Sequence, residues 1–477
     1  MTWLVVISPL LAALITMLFR PLDVRRTARV VFSSAAAAMP LTLIGKVDWL
    51  SLLFAGIVSS ISLLATIFST GMYSVDWGRG QALWTRKSIY FVLLAIFWSA
   101  MLLVVLATNF GLLWFGIAAT TLATAFLVGF SGEAAALEAA WKYLVLCSVG
   151  IGLALLGIVL LGRVSLEEGL DPAQALAWGA ITQHHVSSAV PLASLATAIM
   201  LIGFGTKAGL VPMHAWLPDA HSKAPAPISG LLSGVLVSCS LYAIMRTATV
   251  ASALGAGDSF RQLLLGFGVA SIIVAGALML VQRDLKRLLA YSTVEHAGIV
   301  ALALGFGGPL GQFAALFHVV AHAFAKSAAF FTAGLVQSAS GTTTLSELKG
   351  LWNGGLPGRF LLGALAALGG MPPFALFVSE LLLVAAGIAA HQWIALGLGA
   401  FGIVLGFAAL TRATIAIESG HAPAEPPLAQ RFSPPLSRLS IGAAAAALTC
   451  AVAFAVVPWT SLGATFAAIA RGIGKMP

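Results

Sequence analysis

The sequence predicts an all-α integral membrane protein of about fourteen transmembrane helices, with two inverted five-helix repeats that each contain one broken helix. Three observations carry this. Of 477 residues, 60% are apolar, only 9% are charged, and the mean hydropathy is +1.01. A soluble domain carries about 25% charged residues, so most of this surface faces hydrocarbon rather than water. Apolar runs long enough to cross a bilayer, about 20 residues each, follow one another along the chain. Two of those runs are interrupted by glycine and proline at membrane depth.

In chain order the runs lie near 2–19, 28–45, 49–71, 88–107, 109–130, 139–161 and 190–211, then near 226–246, 260–281, 286–306, 309–338, 358–388, 391–416 and 437–458. The first, Met1 to Phe19, has no basic leader and no small-residue cleavage site, so it reads as a membrane helix rather than a signal peptide. Ser165–His185 is more polar, with Glu167, Glu168 and Asp171, and reads as a surface helix or loop. The first interruption is Gly203-Phe-Gly-Thr-Lys-Ala-Gly-Leu-Val-Pro-Met-His214, and the second is Gly369-Gly-Met-Pro-Pro-Phe374. Interior proline removes a helix hydrogen bond, and unwound backbone survives at membrane depth only when buried or facing a wet cavity. Two such breaks five spans apart divide the chain into helices 1–3 (1–87), a first repeat of helices 4–8 (88–250), a second of helices 9–13 (251–420), and helix 14 with a tail (421–477).

The net charge of +9 sits in short loops, where Lys and Arg set topology; it does not mark a nucleic-acid surface. With the N-terminus outside, the inner loops hold Arg20, Arg25, Arg26, Arg29, Arg79, Arg86, Lys87, Lys223, Arg283, Lys286, Arg287, Lys349, Arg359, Arg412, Arg431 and Arg438. The outer loops then hold Lys46, Arg163, Arg246, Arg261, Arg471 and Lys475, and this imbalance favours both termini outside. Cys147, Cys239 and Cys450 lie singly in apolar runs, without metal-ligand spacing, and read as small buried apolar residues.

An ionisable residue within a bilayer is costly and is a functional candidate by default. Outside the loops these are Lys207 beside the first break, Glu380 shortly after the second, Glu295 and His296 in span 10, and His318, His322 and Lys326 in span 11. Positions 318, 322 and 326 share one helix face within an arc of about 80°. Three proton-binding groups in a stripe can pass protons through intervening water. The two histidines also have the i, i+4 spacing of a metal pair, but no third ligand and no glutamate stands between them. For Lys207 two placements follow: its ammonium meets carbonyls freed by the break, or it snorkels to the interface. Glu138 and Lys142 form an ordinary i, i+4 ion pair near the inner surface. Glu295 and His296 are expected near the inner end of span 10, because Arg283, Lys286 and Arg287 precede them. No phosphate loop, dinucleotide fingerprint, cysteine ligand set or nucleophile triad is present, so no cofactor, no metal and no catalytic site are expected in this chain.

The runs Lys207-Ala-Gly-Leu-Val-Pro-Met-His214-Ala-Trp-Leu-Pro-Asp219-Ala-His221, Lys223-Ala-Pro-Ala-Pro-Ile-Ser-Gly-Leu-Leu-Ser233, Arg283 to Gly298 and His318-Val-Val-Ala-His-Ala-Phe-Ala-Lys326 resemble the antiporter-like subunits of respiratory complex I and Mrp-type antiporters. The Val-Glu-His version, with Glu138-Ala-Ala-Trp-Lys-Tyr143 and Gly370-Met-Pro-Pro-Phe374, is most similar to component F of hydrogenase-4-type complexes. The resemblance covers nearly the whole chain. It implies a fourteen-helix fold with two inverted repeats. It also implies further membrane subunits as partners and a peripheral redox arm, hydrogenase-like or quinone-reductase-like, in a bacterial inner membrane. By that match Lys207 is the central lysine of the first half-channel, His318, His322 and Lys326 relay protons in the second, and Glu380 is its exit-side acid. Glu138, Lys142, His214, Asp219, Glu295 and His296 are accessory positions. Two departures stand out: the family's span-5 glutamate is here Ala118, nine residues after Asn109, and a span-8 Lys or His is here Ser233. The family's long lateral C-terminal helix is not expected either.

Three functions follow in order: a proton-translocating subunit of a membrane-bound hydrogenase or quinone-reductase-like complex; a subunit of a cation/proton antiporter or inorganic-carbon uptake complex; and a non-conducting spacer, suggested by Ala118 and Ser233.

Overall fold

The computed structural model describes residues 2–19, 22–75, 81–183, 190–351, 355–418, 437–459 and 464. Arg20, Arg79, Arg431, Arg471, Lys475, His185 and most of the tail therefore lie outside the described residues. Every long element among them is a helix. The N-terminal helices are α1 (Thr2–Met17), α2 (Leu22–Ala38) and α3 (Trp49–Val75). Then come α4 (Gln81–Leu106), α5 (Phe110–Val128), α6 (Ala134–Glu167), a short α7 (Trp178–Ile181) and α8 (Val190–Ala208). The first break leads into α9 (Trp216–Lys223), α10 (Ala226–Leu231) and, through a wider π turn at 232–236, α11 (Val237–Ala253). The remainder is α12 (Gly257–Leu280), α13 (Leu285–Phe306), α14 (Gly308–Ser340), α15 (Leu356–Leu368), α16 (Ala375–Ala389), α17 (Trp393–Glu418) and α18 (Arg438–Ala453). Eleven helical segments among the described residues are long and apolar enough to cross a membrane, and α1, α15 and α16 are shorter apolar helices. The chain is a multi-pass integral membrane protein.

Side-chain caps set several starts. Asn109 accepts from the Leu112 amide at 2.9 Å to open α5, and Asp284 accepts from the Arg287 amide at 2.8 Å to open α13. The two breaks share one local device. In α8 the amides of Gly209 and Leu210 close on Thr206 O and Gly205 O, and in α15 those of Gly370 and Met371 close on Ala367 O and Ala366 O. These are the paired bonds of a Schellman helix end, with Gly209 at φ +78° and Gly370 at φ +64° in the left-handed region glycine favours. Pro212 and Pro373 each follow three residues later, where the helix cannot resume.

The helices nearest the centre are buried all round. The apolar stretches of α10–α11 and α14 are fully buried, whereas α17 and α18 show most of their surface. This explains which helices carry polar residues: α13 and α14 are encased by other helices, so a side chain there meets protein instead of lipid. Three sequence expectations need correction. Lys286 and Arg246 belong to helices, not loops, and both are buried. Lys286 gives its ammonium to Ala224 O at 2.6 Å, and Arg246 pairs with Asp48 at 2.6 Å, so neither is a free topology charge. Glu295 and His296 lie midway along α13, not at its inner end, because that helix begins at Leu285.

Candidate functional site

Two polar stations occupy the helical interior. The first is built on α5, α6 and α8. Lys207, one residue before the end of α8, is 1% exposed, which rules out snorkelling. Its Nζ donates to Thr121 Oγ1 at 2.7 Å and Tyr143 OH at 2.5 Å, and stands 4.6 Å from the Tyr143 ring centre. The expectation that carbonyls freed by the break would receive this ammonium is wrong, because the break satisfies itself: Thr206 O accepts from Trp216 Nε1 at 2.7 Å. No carboxylate pairs with Lys207 among the described residues; its titratable neighbours are Cys147, Cys239 and Tyr143. Ala118 lies one turn before Thr121 and is half-buried.

The second station is built on α13, α14 and α16. His318, His322 and Lys326 all face α13, as their four-residue spacing requires. Lys326 Nζ donates to Ser292 Oγ at 2.6 Å and Leu289 O at 3.0 Å. His296 stands between the two histidines of α14, with ring centres 5.2 Å from each. His296 Nδ1 is 3.0 Å from His318 Nε2, and His318 Nδ1 is 2.9 Å from Ser379 Oγ on α16. The partners assign the tautomers of the neutral rings. Ser379 donates its own hydroxyl hydrogen to Leu376 O at 2.7 Å, so it accepts from His318 Nδ1–H. His318 Nε2 is then bare and accepts from His296 Nδ1–H. His296 Nε2 and His322 Nε2 are buried and close no short hydrogen bond, and the Leu368 backbone carbonyl faces His296. Buried polar atoms of this kind are where ordered water binds. His296, His318 and Ser379 are thus linked in series, and a proton gained by one ring can be passed to the next with a change of tautomer. The arrangement is a buried hydrogen-bonded chain of proton-exchanging groups.

Two carboxylates flank the wire, each roofed by a glycine. A Cβ on Gly406 of α17 would fall on the Glu295 carboxylate, and one on Gly370 would fall on that of Glu380. Glu295 adjoins His296 on α13 and is buried. Glu380 makes no direct bond to the histidines; its neighbour Ser379 does.

Between the stations run aromatic contacts: Tyr143 to Trp216 (5.0 Å), Trp216 to His221 (5.9 Å) and His221 to Phe330 (5.7 Å). Ser233, at the span-8 position, pairs with Thr293 of α13 at 2.7 Å. At the helix ends Asp219 receives Lys142 at 3.4 Å and Arg287 at 2.9 Å, while Lys142 also pairs with Glu138 at 2.6 Å. These four form an ion network at the helix ends rather than part of either station. His214 is half-buried at the first break, 6.4 Å from Tyr291, and joins neither station. No cluster of metal-ligating residues occurs among the described residues.

Sequence reading missed Thr121, Tyr143, Ser292, Ser379 and His221. Hydroxyls carry no charge to betray them in an apolar run. The available signal was position: Ser292 precedes His296 by one turn, and Ser379 adjoins Glu380.

Residues 107–406 match the profile of the family described as NADH:quinone oxidoreductase/Mrp antiporter, TM. The chain is 35% identical over 379 residues to the hydrogenase-4 component F homolog of Methylacidiphilum infernorum, covering 79% of each chain. Its fold is similar to a chain of the archaeal membrane-bound sulfane sulfur reductase complex, with a TM-score of 0.83 at 20% identity, over 100% of this chain and 97% of that one. It is also similar to a chain of respiratory complex I from Thermus thermophilus, with a TM-score of 0.76 at 24% identity, over 97% and 99%.

Proposed function

The chain belongs to the NADH:quinone oxidoreductase/Mrp antiporter membrane family, and from that premise we propose that it is a proton-translocating membrane subunit of a hydrogenase-4- or complex I-like redox complex. The observation that carries this reading is the wire His296–His318–Ser379, buried and hydrogen-bonded in series, with the buried His322 ring against it. Lys326, His322 and His318 relay the proton, His296 and Ser379 complete the chain, and Glu380 beside Ser379 is the exit-side acid. Lys207 is the proton carrier of the first half. The reaction has no covalent step; protons hop between side chains and water. The electron chemistry belongs to a peripheral arm, hydrogenase-like or quinone-reductase-like, and other membrane subunits flank this one.

The matching helix ends at Gly209 and Gly370 support two repeats, 88–250 and 251–420, after helices 1–3 (1–87) and before helix 14 and its tail (421–477). Counting α2, and taking α15 with α16 as one broken span, supports fourteen crossings, and the uneven loop charge favours an N-terminus outside a bacterial inner membrane. A second reading, a subunit of a cation/proton antiporter, is favoured by the family itself, whose description spans both kinds of complex.

Affinity purification of the tagged chain from its native membranes, followed by reconstitution, separates the two. Co-purification of a redox subunit, with substrate oxidation driving acidification of one side, supports the first. Cation-driven proton exchange without any redox partner replaces it with the second.

A further inference from the structure

The first station holds a buried lysine without an acid, and its hydroxyl geometry shows what stands in. Thr124 Oγ1 donates to Thr120 O at 2.6 Å, so it accepts the phenolic hydrogen of Tyr143 across a 2.5 Å contact. Thr121 Oγ1 donates to Ile117 O at 3.2 Å. Both hydroxyl hydrogens that could turn toward Lys207 are thus directed elsewhere, one to an α5 carbonyl and one to a threonine that itself ends on an α5 carbonyl. Both oxygens offer only lone pairs to Nζ. An ammonium is served by such a cage. A neutral amine also wants a donor aimed at its lone pair, and the cage presents none in this arrangement. The ring face of Tyr143 adds a cation–π contact to the same nitrogen.

We propose that Tyr143, fixed by Thr124, is the positioning residue that holds Lys207 as an ammonium in place of a carboxylate. The inference rests on the reading of Lys207 as a proton carrier only for its functional consequence, not for its geometry. Three residues on α5 and α6 act as one unit: Thr121 and Tyr143 solvate the charge, and Thr124 keeps the phenol turned to accept. When Lys207 passes its proton on, rotation of the Tyr143 O–H from Thr124 to Nζ supplies the donor that the neutral amine lacks. No atom leaves the site except the proton, and the phenol is unchanged at the end. The groups facing Lys207 from the packed helices are Tyr143 and Cys147 on α6, Cys239 on α11 and Thr121 on α5; none of them brings a carboxylate. The site therefore carries a positive charge without a countercharge, held by dipoles alone. A carboxylate at Ala118, one turn from Thr121, would make the phenol dispensable.

The test is nitrogen-15 magnetic resonance of lysine side chains in the assembled complex. The Lys207 signal is identified by its loss in Lys207→Ala. The parent is expected to show an ammonium at neutral pH. Tyr143→Phe, which keeps the ring and removes the hydroxyl, should lower the ammonium-to-amine ratio about 10- to 100-fold, the scale of one hydrogen bond to a charged group. Adding Ala118→Glu to Tyr143→Phe should restore it. Should Tyr143→Phe fail to assemble, Thr124→Val frees the phenol to turn and is expected to change the ratio in the same direction. An unchanged ratio in the assembled variant, or no recovery in the double variant, overturns the proposal. Proton movement in Lys207→Ala is a separate measurement: if it is unchanged, Lys207 is no carrier, while the cage is still judged by the resonance result.

Discussion

Ser379→Ala isolates the end of the histidine wire. The substitution removes one oxygen and adds nothing, and Ser379 is 1% exposed, so the vacated place is not open to bulk water. His318 Nδ1–H then loses its only acceptor among the described residues. The ring has two choices. It keeps its tautomer and buries an unsatisfied donor, or it moves the proton to Nε2 and breaks the 3.0 Å bond to His296. Either way one buried hydrogen bond is forfeited, at a cost of about 1–3 kcal/mol. Placed on the conduction barrier, that cost slows transfer about 5- to 160-fold. The assay is proton uptake into vesicles holding the purified complex, driven by a valinomycin-clamped potassium potential and read with an internal pH dye. Ser379→Thr keeps the hydroxyl and should conduct within about threefold of the parent, less than the cost of one lost hydrogen bond. Parental conduction by a folded Ser379→Ala protein would refute the wire.

Other outcomes follow from single contacts. Gly406→Ala should lower conduction, because the new Cβ displaces the Glu295 carboxylate, and it should not stabilise the protein. Gly397→Ala on the same helix meets nothing within 4 Å and should raise stability by about 0.5–1 kcal/mol, the ordinary gain for glycine in a helix, read as the thermal midpoint in detergent. Asp48 lies just before α3. Burial alone would raise its pKa, but the Arg246 charge and hydrogen bonds from Ser51 and Arg246 outweigh burial and hold it below the usual carboxylate value. A folded pKa held down means its stabilisation is present above the unfolded value of about 3.9 and is lost as pH falls through the folded one. Asp48→Asn should therefore lower the thermal midpoint at pH 7 by the equivalent of about 1 kcal/mol or less, since Asp48 is half-exposed. The difference from the parent should vanish as pH falls below that folded value; a constant difference down to acid would contradict the pairing.

The helical fold was legible because hydrocarbon leaves few options. Long apolar runs must be helices, and Gly209 with Pro212, and Gly370 with Pro373, mark where those helices stop. The second station was legible because charge in an apolar run is conspicuous, and a four-residue repeat fixes which faces align: His318, His322 and Lys326 do share α13 as their partner. The partners' identity was less accessible. Spacing along α14 cannot say that His296 would enter between two rings, nor that Ser379 would accept from His318, because those contacts depend on how α13 and α16 lean on α14. Basic residues near predicted span ends invited an error of depth. Lys286 and Arg246 read as loop charges, yet each turns inward to a specific acceptor. Lys207 was placed correctly by its charge and given the wrong partners. The break beside it turns carbonyls out of the helix, but Trp216 Nε1 occupies Thr206 O, and the lysine turns to hydroxyls instead. Thr121 and Tyr143 were in plain sight within runs noted for other residues.

Removing the Lys326 side chain probes the second station at its lysine end. In the assembled complex, reconstituted and turning over, Lys326→Ala should abolish proton movement, while subunit composition and thermal midpoint stay near those of the parent. Undiminished proton movement with Lys326 gone would mean that protons cross elsewhere and that the stripe on α14 is only architecture.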